Sequence, residues 1–194
     1  SSNQGVMKGS DRNNVGLSFD LGYRIKDKIQ MRNSFSFNDT KGNNSPYGTF
    51  SNYAEANPYS PIFDAAGNYI RTYNQHVAGG SGEMHYNYLY NASLLHRDWS
   101  KDLSISDQFN LDYRILPALR WKVSVSYTKD VGETSSYTSP KDARYTSYTD
   151  DNKKGEATSG KSTTTSFDFS TTLAYNFNLG KHNIYMATGM NMNE

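Results

Sequence analysis

Residues 45 to 64, SPYGTFSNYAEANPYSPIFD, hold five aromatic rings: Tyr47, Phe50, Tyr53, Tyr59 and Phe63. An aromatic face buries the apolar C–H face of a sugar ring, while a phenol hydroxyl still finds a polar partner. Tyrosine is equally favoured at protein interfaces, so the same rings could anchor a second protein. A plainer reading has them packing the loop's own small core, with Pro46, Pro58 and Pro61 stiffening it against chain entropy. From sequence alone these readings stand side by side.

Covalent chemistry has less support. The chain has no cysteine, which removes thiol catalysis, disulfides and thiolate metal sites. His76, His85, His96 and His182 stand in no HExxH or other ligand spacing, so structural or solvated roles are expected and no metal. The glycine-rich AGGSGE at 78 to 83 lacks the lysine of a phosphate-binding loop and reads as a flexible segment. DAAGNYI at 64 to 70 reads as a hairpin turn, with Gly67 and Asn68 supplying positive φ. No nucleophile, base and orienting group cluster in the chain, so neither catalytic residues nor a cofactor is expected and the protein reads as a non-enzyme. With 20 basic against 19 acidic side chains, net charge +1 and no basic block, nothing points to nucleic acid.

The elements that position these residues show themselves by alternation. Val15, Leu17, Phe19, Leu21, Tyr23 and Ile25 are apolar at every second position, and the pattern recurs to make six segments. The predicted strands are about 14–25, 28–39, 103–115, 119–130, 164–178 and 182–192. Successive strand side chains point to opposite faces, so each segment has one apolar and one polar face. Asn33 and Asp107 fall on the apolar parity and break the pattern. Asp20, Arg32, Asp112, Lys122 and Asp168 fall on the polar parity. In a barrel they line the interior; in a soluble sheet they form an ordinary wet surface.

Short connections (KDK, LPA, GKH) alternate with two long ones, about 41–102 and 131–163. An antiparallel up-and-down meander therefore puts the short turns on one edge and the long loops on the other. The Ser/Thr-rich stretch at 128 to 165 is either a mobile loop or partly ordered strand extension. Mean hydropathy is −0.81, and no run approaches the ~18 to 20 apolar residues of a membrane helix. Six strands ~4.8 Å apart with an apolar band ~25 Å tall give roughly 700 Å² of apolar face. That exceeds the ~300 to 600 Å² of the largest patch on a typical soluble monomer. Lipid, a second sheet or the sheet's own curling must cover it. Short turns on one side and long loops on the other are a habit of outer-membrane barrels. A soluble antiparallel barrel or sandwich that binds carbohydrate, secreted or on the cell surface, is the other reading.

GVMKGSDR at 5 to 12 and NNSPYGTFSNYAEANPYSPIFDAAGN at 43 to 68 resemble the SusC/RagA class of TonB-dependent outer-membrane transporters. YNASL at 90 to 94 and LGKHNIYMATGMN at 179 to 191 are similar to that family too. The resemblance implies an all-β fold that is an arc of a large transmembrane β-barrel, located in the cell outer membrane. It implies import of glycan or peptide fragments, a SusD-like lipoprotein lid as partner, outer-membrane lipid around the wall, and TonB acting through parts of the parent protein outside this chain. Plug domain, TonB-contacting segment and signal peptide are absent from these residues, so the expectation is a barrel piece. The short turns would face the periplasm and the two long loops the exterior. Tyr47, Phe50, Tyr53, Tyr59 and Phe63 would then meet cargo or lid.

Overall fold

The computed structural model describes residues 1–54, 56, 58–75 and 83–194. His76 and most of the glycine-rich 78–83 segment lie outside the described residues. Among the described residues there are nine strands: β1 (Ser2–Gln4), β2 (Asp11–Ile25), β3 (Ile29–Asn43), β4 (Thr72–Gln75), β5 (Glu83–Tyr86), β6 (His96–Leu116), β7 (Leu119–Thr138), β8 (Glu156–Leu179) and β9 (His182–Asn193). The same residues also form two short helices, α1 (Ser51–Ala54) and α2 (Tyr88–Ala92), and two 3-10 turns. The main sheet runs β1-β2-β3-β6-β7-β8-β9, and β4 pairs with β5 in a separate hairpin. The protein is all-β, a largely antiparallel meander. Among the described residues no helix is long and apolar enough to cross a membrane.

The chain divides into two units. One comprises Ser1–Asn14, Thr40–Lys101 and Glu133–Lys161; the other comprises Val15–Asp39, Asp102–Gly132 and Ser162–Glu194.

The second unit holds the alternating segments. Its β8–β9 register sets Phe169 opposite Met192, Tyr175 opposite Met186 and Phe177 opposite Ile184. The intervening rows pair Asp168 with Asn193 and Ser170 with Asn191. Residues directly opposite share a face, so apolar and polar side chains separate as the period of two requires. Phe19 stacks on Phe35 with centroids 5.0 Å apart, which extends the same apolar face across β2 and β3. No residue of this unit is buried. Leu17, Leu21 and Tyr23 are 60%, 63% and 64% exposed. The apolar face is open.

Asn33 and Asp107, the two breaks in the apolar parity, meet each other. The Asn33 side-chain amide donates to the Asp107 carboxylate at 2.7 Å. Each polar group thus satisfies the other on an otherwise apolar surface, which lowers the cost of placing either there.

The short connections are tight. Lys26 adopts φ 49° between β2 and β3, and Gly180 adopts φ 61° between β8 and β9. His182, read both as the end of the GKH connection and as the start of the strand at 182–192, is the first residue of β9, opposite Leu179.

The first unit contains the buried residues, among them Thr40, Asn87, Asp142, Ala143 and Tyr145. Here β7 runs on to Thr138 and β8 starts at Glu156, so the loop expected at 131–163 reduces to residues 139–155. Of the two readings of that polar stretch, strand extension is the one observed. These extensions carry polar residues on both sides and are joined by cross-strand pairs such as Lys161 Nζ to Glu133 Oε1 at 2.8 Å. Such pairs and the backbone ladder hold a strand without an apolar face.

Candidate functional site

Two surfaces collect the residues singled out by sequence. The first is the aromatic loop of the first unit. Gly48 closes its opening turn at φ +76°, and a Cβ there would lie 2.6 Å from Asn52 Nδ2 and 3.3 Å from the Tyr88 ring. Only glycine combines that dihedral with so close an approach. The Tyr53 hydroxyl donates to the Tyr47 carbonyl at 2.7 Å, and its ring lies 6.1 Å from that of Tyr88. Burial, helped by the neighbouring Tyr47 and Tyr88, raises the Tyr53 phenol above its ordinary value. Lys8 Nζ sits 5.6 Å from the centroid of the Tyr47 ring, a cation–π distance. Tyr47 and Tyr53 therefore pack the loop.

Phe50, Tyr59 and Phe63 behave differently, being 67%, 93% and 47% exposed. Phe63 stacks on Tyr69 at 4.8 Å, and these two residues form a bridge that closes the following turn. Inside that turn Gly67 has φ +84°, as expected, but Asn68 has no positive φ. Asn68 instead donates its backbone N–H to Asp64 Oδ1 at 2.8 Å and its side-chain amide to Oδ2 at 3.2 Å. The turn is thus built around the Asp64 carboxylate, and Asn68 does not need the left-handed region.

These hydrogen bonds, led by the Asn68 backbone N–H, hold the Asp64 carboxyl below its ordinary value. A carboxyl with a lowered folded pKa stabilises the turn above its unfolded pKa, and loses that contribution as pH falls through the folded one. Amide exchange of Ala66, Gly67 and Asn68, corrected for intrinsic rate, is expected to be constant from pH 5 to 7 and to accelerate below about pH 4. An Asp64→Asn protein showing the same acid-induced opening would refute this.

A residue that sequence reasoning missed organises the loop. Asn87, 2% exposed, donates its side-chain amide to the carbonyls of Ile62 at 3.0 Å and Ile70 at 2.7 Å. Its Oδ1 accepts from Leu89 N and Tyr90 N, capping α2. Asn91 then donates to Asp142 Oδ1 at 3.2 Å and accepts the Ala143 N–H at 2.8 Å. The available signal was the N-cap preference of asparagine before YLYNA.

The second surface is the polar face of the second unit. Arg32 forms a two-pronged ion pair with Asp20, whose Oδ2 also accepts from the Ser34 hydroxyl at 3.3 Å. Arg120, not anticipated, forms the same kind of pair with Asp112. Asp168 accepts from the Ser126 hydroxyl at 3.3 Å. Lys122 and Arg32 line a hollow of about 440 Å³ with Gln30, Asn110, Asp112 and Ser170. Of the five polar residues named from sequence, Arg32, Asp112 and Lys122 share that hollow, while Asp20 reaches it through Arg32. Asp168 is not among its lining. Amides, hydroxyls and guanidinium groups at one concave wall offer a ligand hydrogen bonds and positive charge. No group of three or more His, Asp or Glu arranged to hold a metal ion occurs among the described residues.

No family model matches the chain, and no curated protein matches it. What the fold and these surfaces define is a class of architecture: an antiparallel meander with one open apolar face, one polar hollowed face and an ordered aromatic loop.

Proposed function

We propose that this chain is part of the wall of a TonB-dependent outer-membrane importer of the SusC/RagA kind, located in the cell outer membrane. The observation that carries the reading is the exposed apolar stripe of β2, from Val15 to Ile25, all of whose large side chains are at least 40% exposed. Water does not favour such a face, and acyl chains cover it at no polar cost. On this reading β2, β3 and β6–β9 form an arc of a transmembrane barrel, and the polar face lines the route taken by a glycan or peptide fragment. Phe50, Tyr59 and Phe63 contact the cargo or a SusD-like lid, while TonB acts through other parts of the parent protein. A secreted carbohydrate-binding sandwich would require a second layer over the apolar face, and no residue of the second unit is buried under one.

Trp121 tests the proposal. It lies on the apolar parity, 37% exposed, with its indole N–H donating to Thr171 Oγ1 at 2.8 Å. In a Trp99→Phe background it is the only tryptophan left. Reconstituted into vesicles of acyl-brominated phosphatidylcholine, its emission is expected to be strongly quenched compared with ordinary lipid. Equal emission in both lipids, with ready quenching by aqueous acrylamide, would count against a lipid-facing wall.

A further inference from the structure

One stretch of the polar face of the second unit gathers basic side chains into adjoining hollows. Three hollows adjoin along it. One, of about 270 Å³, is lined by Arg24, Asp27, Lys28, Asp112, Arg114 and Arg120. A second, of about 450 Å³, shares Arg114 and Arg120 and adds Lys122 with Thr172, Asn176 and Tyr185. The third is the 440 Å³ hollow that shares Lys122 with the second and Gln30 and Asp112 with the first. Shared walls make them one trough.

Two of the six cations along this trough are committed: Arg32 to Asp20 and Arg120 to Asp112. Asp20 and Asp112 are the carboxylates of those bridges, and Asp112 also feels the charges of Lys122 and Arg114, so one carboxylate is shared among three cations. What remains is Arg24, Lys28, Arg114 and Lys122, with Asp27 the one carboxylate left in the lining. Among the described residues none of these four cations has an ion pair. Over the whole chain the basic and acidic side chains nearly balance, 20 to 19, so this local excess comes from placement and not from composition. Like charges gathered in a hollow repel one another, and a concave wall of low dielectric strengthens their field. A ligand that neutralises them gains from both effects.

We propose that the trough binds an anionic cargo, an oligomer bearing carboxylate or sulfate groups. The inference deepens the transport reading and rests on it for the word cargo. The shared chemistry is a row of anionic groups meeting Arg24, Lys28, Arg114 and Lys122. The paired Arg32 and Arg120, with the amides and hydroxyls around them, hold the uncharged part of the ligand. Two sources supply such chemistry, an acidic saccharide and an acidic peptide.

Fluorescence anisotropy on the full chain in detergent micelles separates them. The probes are fluorescein-labelled hexagalacturonate and hexaglutamate, with maltohexaose and hexaglutamine as neutral counterparts. One acidic probe is expected to bind at least about tenfold more tightly than its neutral counterpart at low salt, an advantage that shrinks as salt rises. A Lys28→Gln, Arg114→Gln, Lys122→Gln protein is expected to lose about tenfold in affinity for it. Should that protein fail to keep its strand content by circular dichroism, the single Lys28→Gln and Lys122→Gln proteins carry the test, at about threefold loss each. Preference for galacturonate assigns a saccharide and preference for glutamate a peptide. Equal affinity for acidic and neutral probes, no binding of either acidic probe, or full affinity after the substitutions overturns the proposal. Trp121 quenching is read separately, on the Trp99→Phe protein in brominated-lipid vesicles, so a trough that ignores charge leaves the barrel-wall reading standing, and an unquenched Trp121 strikes that reading alone.

Discussion

The Leu21→Arg substitution is expected to destabilise the protein in phospholipid vesicles by about 2 to 4 kcal/mol, the cost of a lipid-facing cation near mid-bilayer. Leu21 stands well inside the six-residue apolar stripe of β2 and is 63% exposed. A side chain that open to water would tolerate arginine to within about 0.5 kcal/mol, as most surface positions do. The two settings thus give answers several-fold apart for one substitution. Ser18, on the opposite parity of the same strand, is the control: Ser18→Arg is expected to stay within about 0.5 kcal/mol, since it meets the polar face. Urea unfolding of the vesicle-bound proteins, followed by Trp121 emission, gives both numbers. If Leu21→Arg and Ser18→Arg shift the unfolding free energy equally, the two faces of β2 share one environment and the lipid assignment of the apolar face is lost.

The alternating segments were legible because the two sheet faces differ, and that difference imposes a period of two on the sequence. Where both faces are polar the signal vanishes. The far parts of β7 and β8, residues such as Glu133 and Lys161, therefore read as loop although they continue the ladder. Asn33 was unreadable for another reason. Its partner Asp107 is 74 positions away, across a connection whose length fixes no register. A parity break makes sense only once the neighbouring strand is known.

The candidate site divides along the same line. Ring content marked the 45–64 loop, but which rings pack and which face outward depends on Gly48, Asn52 and Tyr88, whose approach to the turn follows from three-dimensional closure. Composition likewise said nothing of the cationic trough. Lys122 was named from its parity, but Arg24, Lys28 and Arg114 are unremarked singly, and the four gather only because β2, β3, β6 and β7 lie side by side. Polar-parity residues could be named from sequence, yet their salt-bridge partners, Arg120 above all, needed the register.

Asn87→Ala is expected to open the aromatic loop. Four hydrogen bonds converge on this one side chain, two given to the carbonyls of Ile62 and Ile70 and two received from Leu89 and Tyr90. Alanine removes all four. Each buried polar group left without a partner costs about 1 to 3 kcal/mol, and a lost asparagine cap about 1 kcal/mol. Water entering the opened loop satisfies some of the freed groups, so the local loss settles near 3 kcal/mol, about a hundredfold in an opening equilibrium. Amide exchange reads it directly: Asn91 N–H, bonded to the Asn87 carbonyl, and Ile70 N–H, bonded to the Ile62 carbonyl, are expected to exchange about a hundredfold faster. Amides of the β8–β9 ladder are expected to keep their rates, because local opening does not require the sheet to unfold. Asn87→Asp separates the two halves of the hub, since a carboxylate still accepts from Leu89 and Tyr90 but has no donor for the two carbonyls. It is expected to protect Asn91 while leaving Ile70 fast. Exchange at both amides within about threefold of the parent in Asn87→Ala would mean that packing of Tyr47, Tyr53 and Tyr88 alone holds the loop, and the hub would be an ornament of the fold.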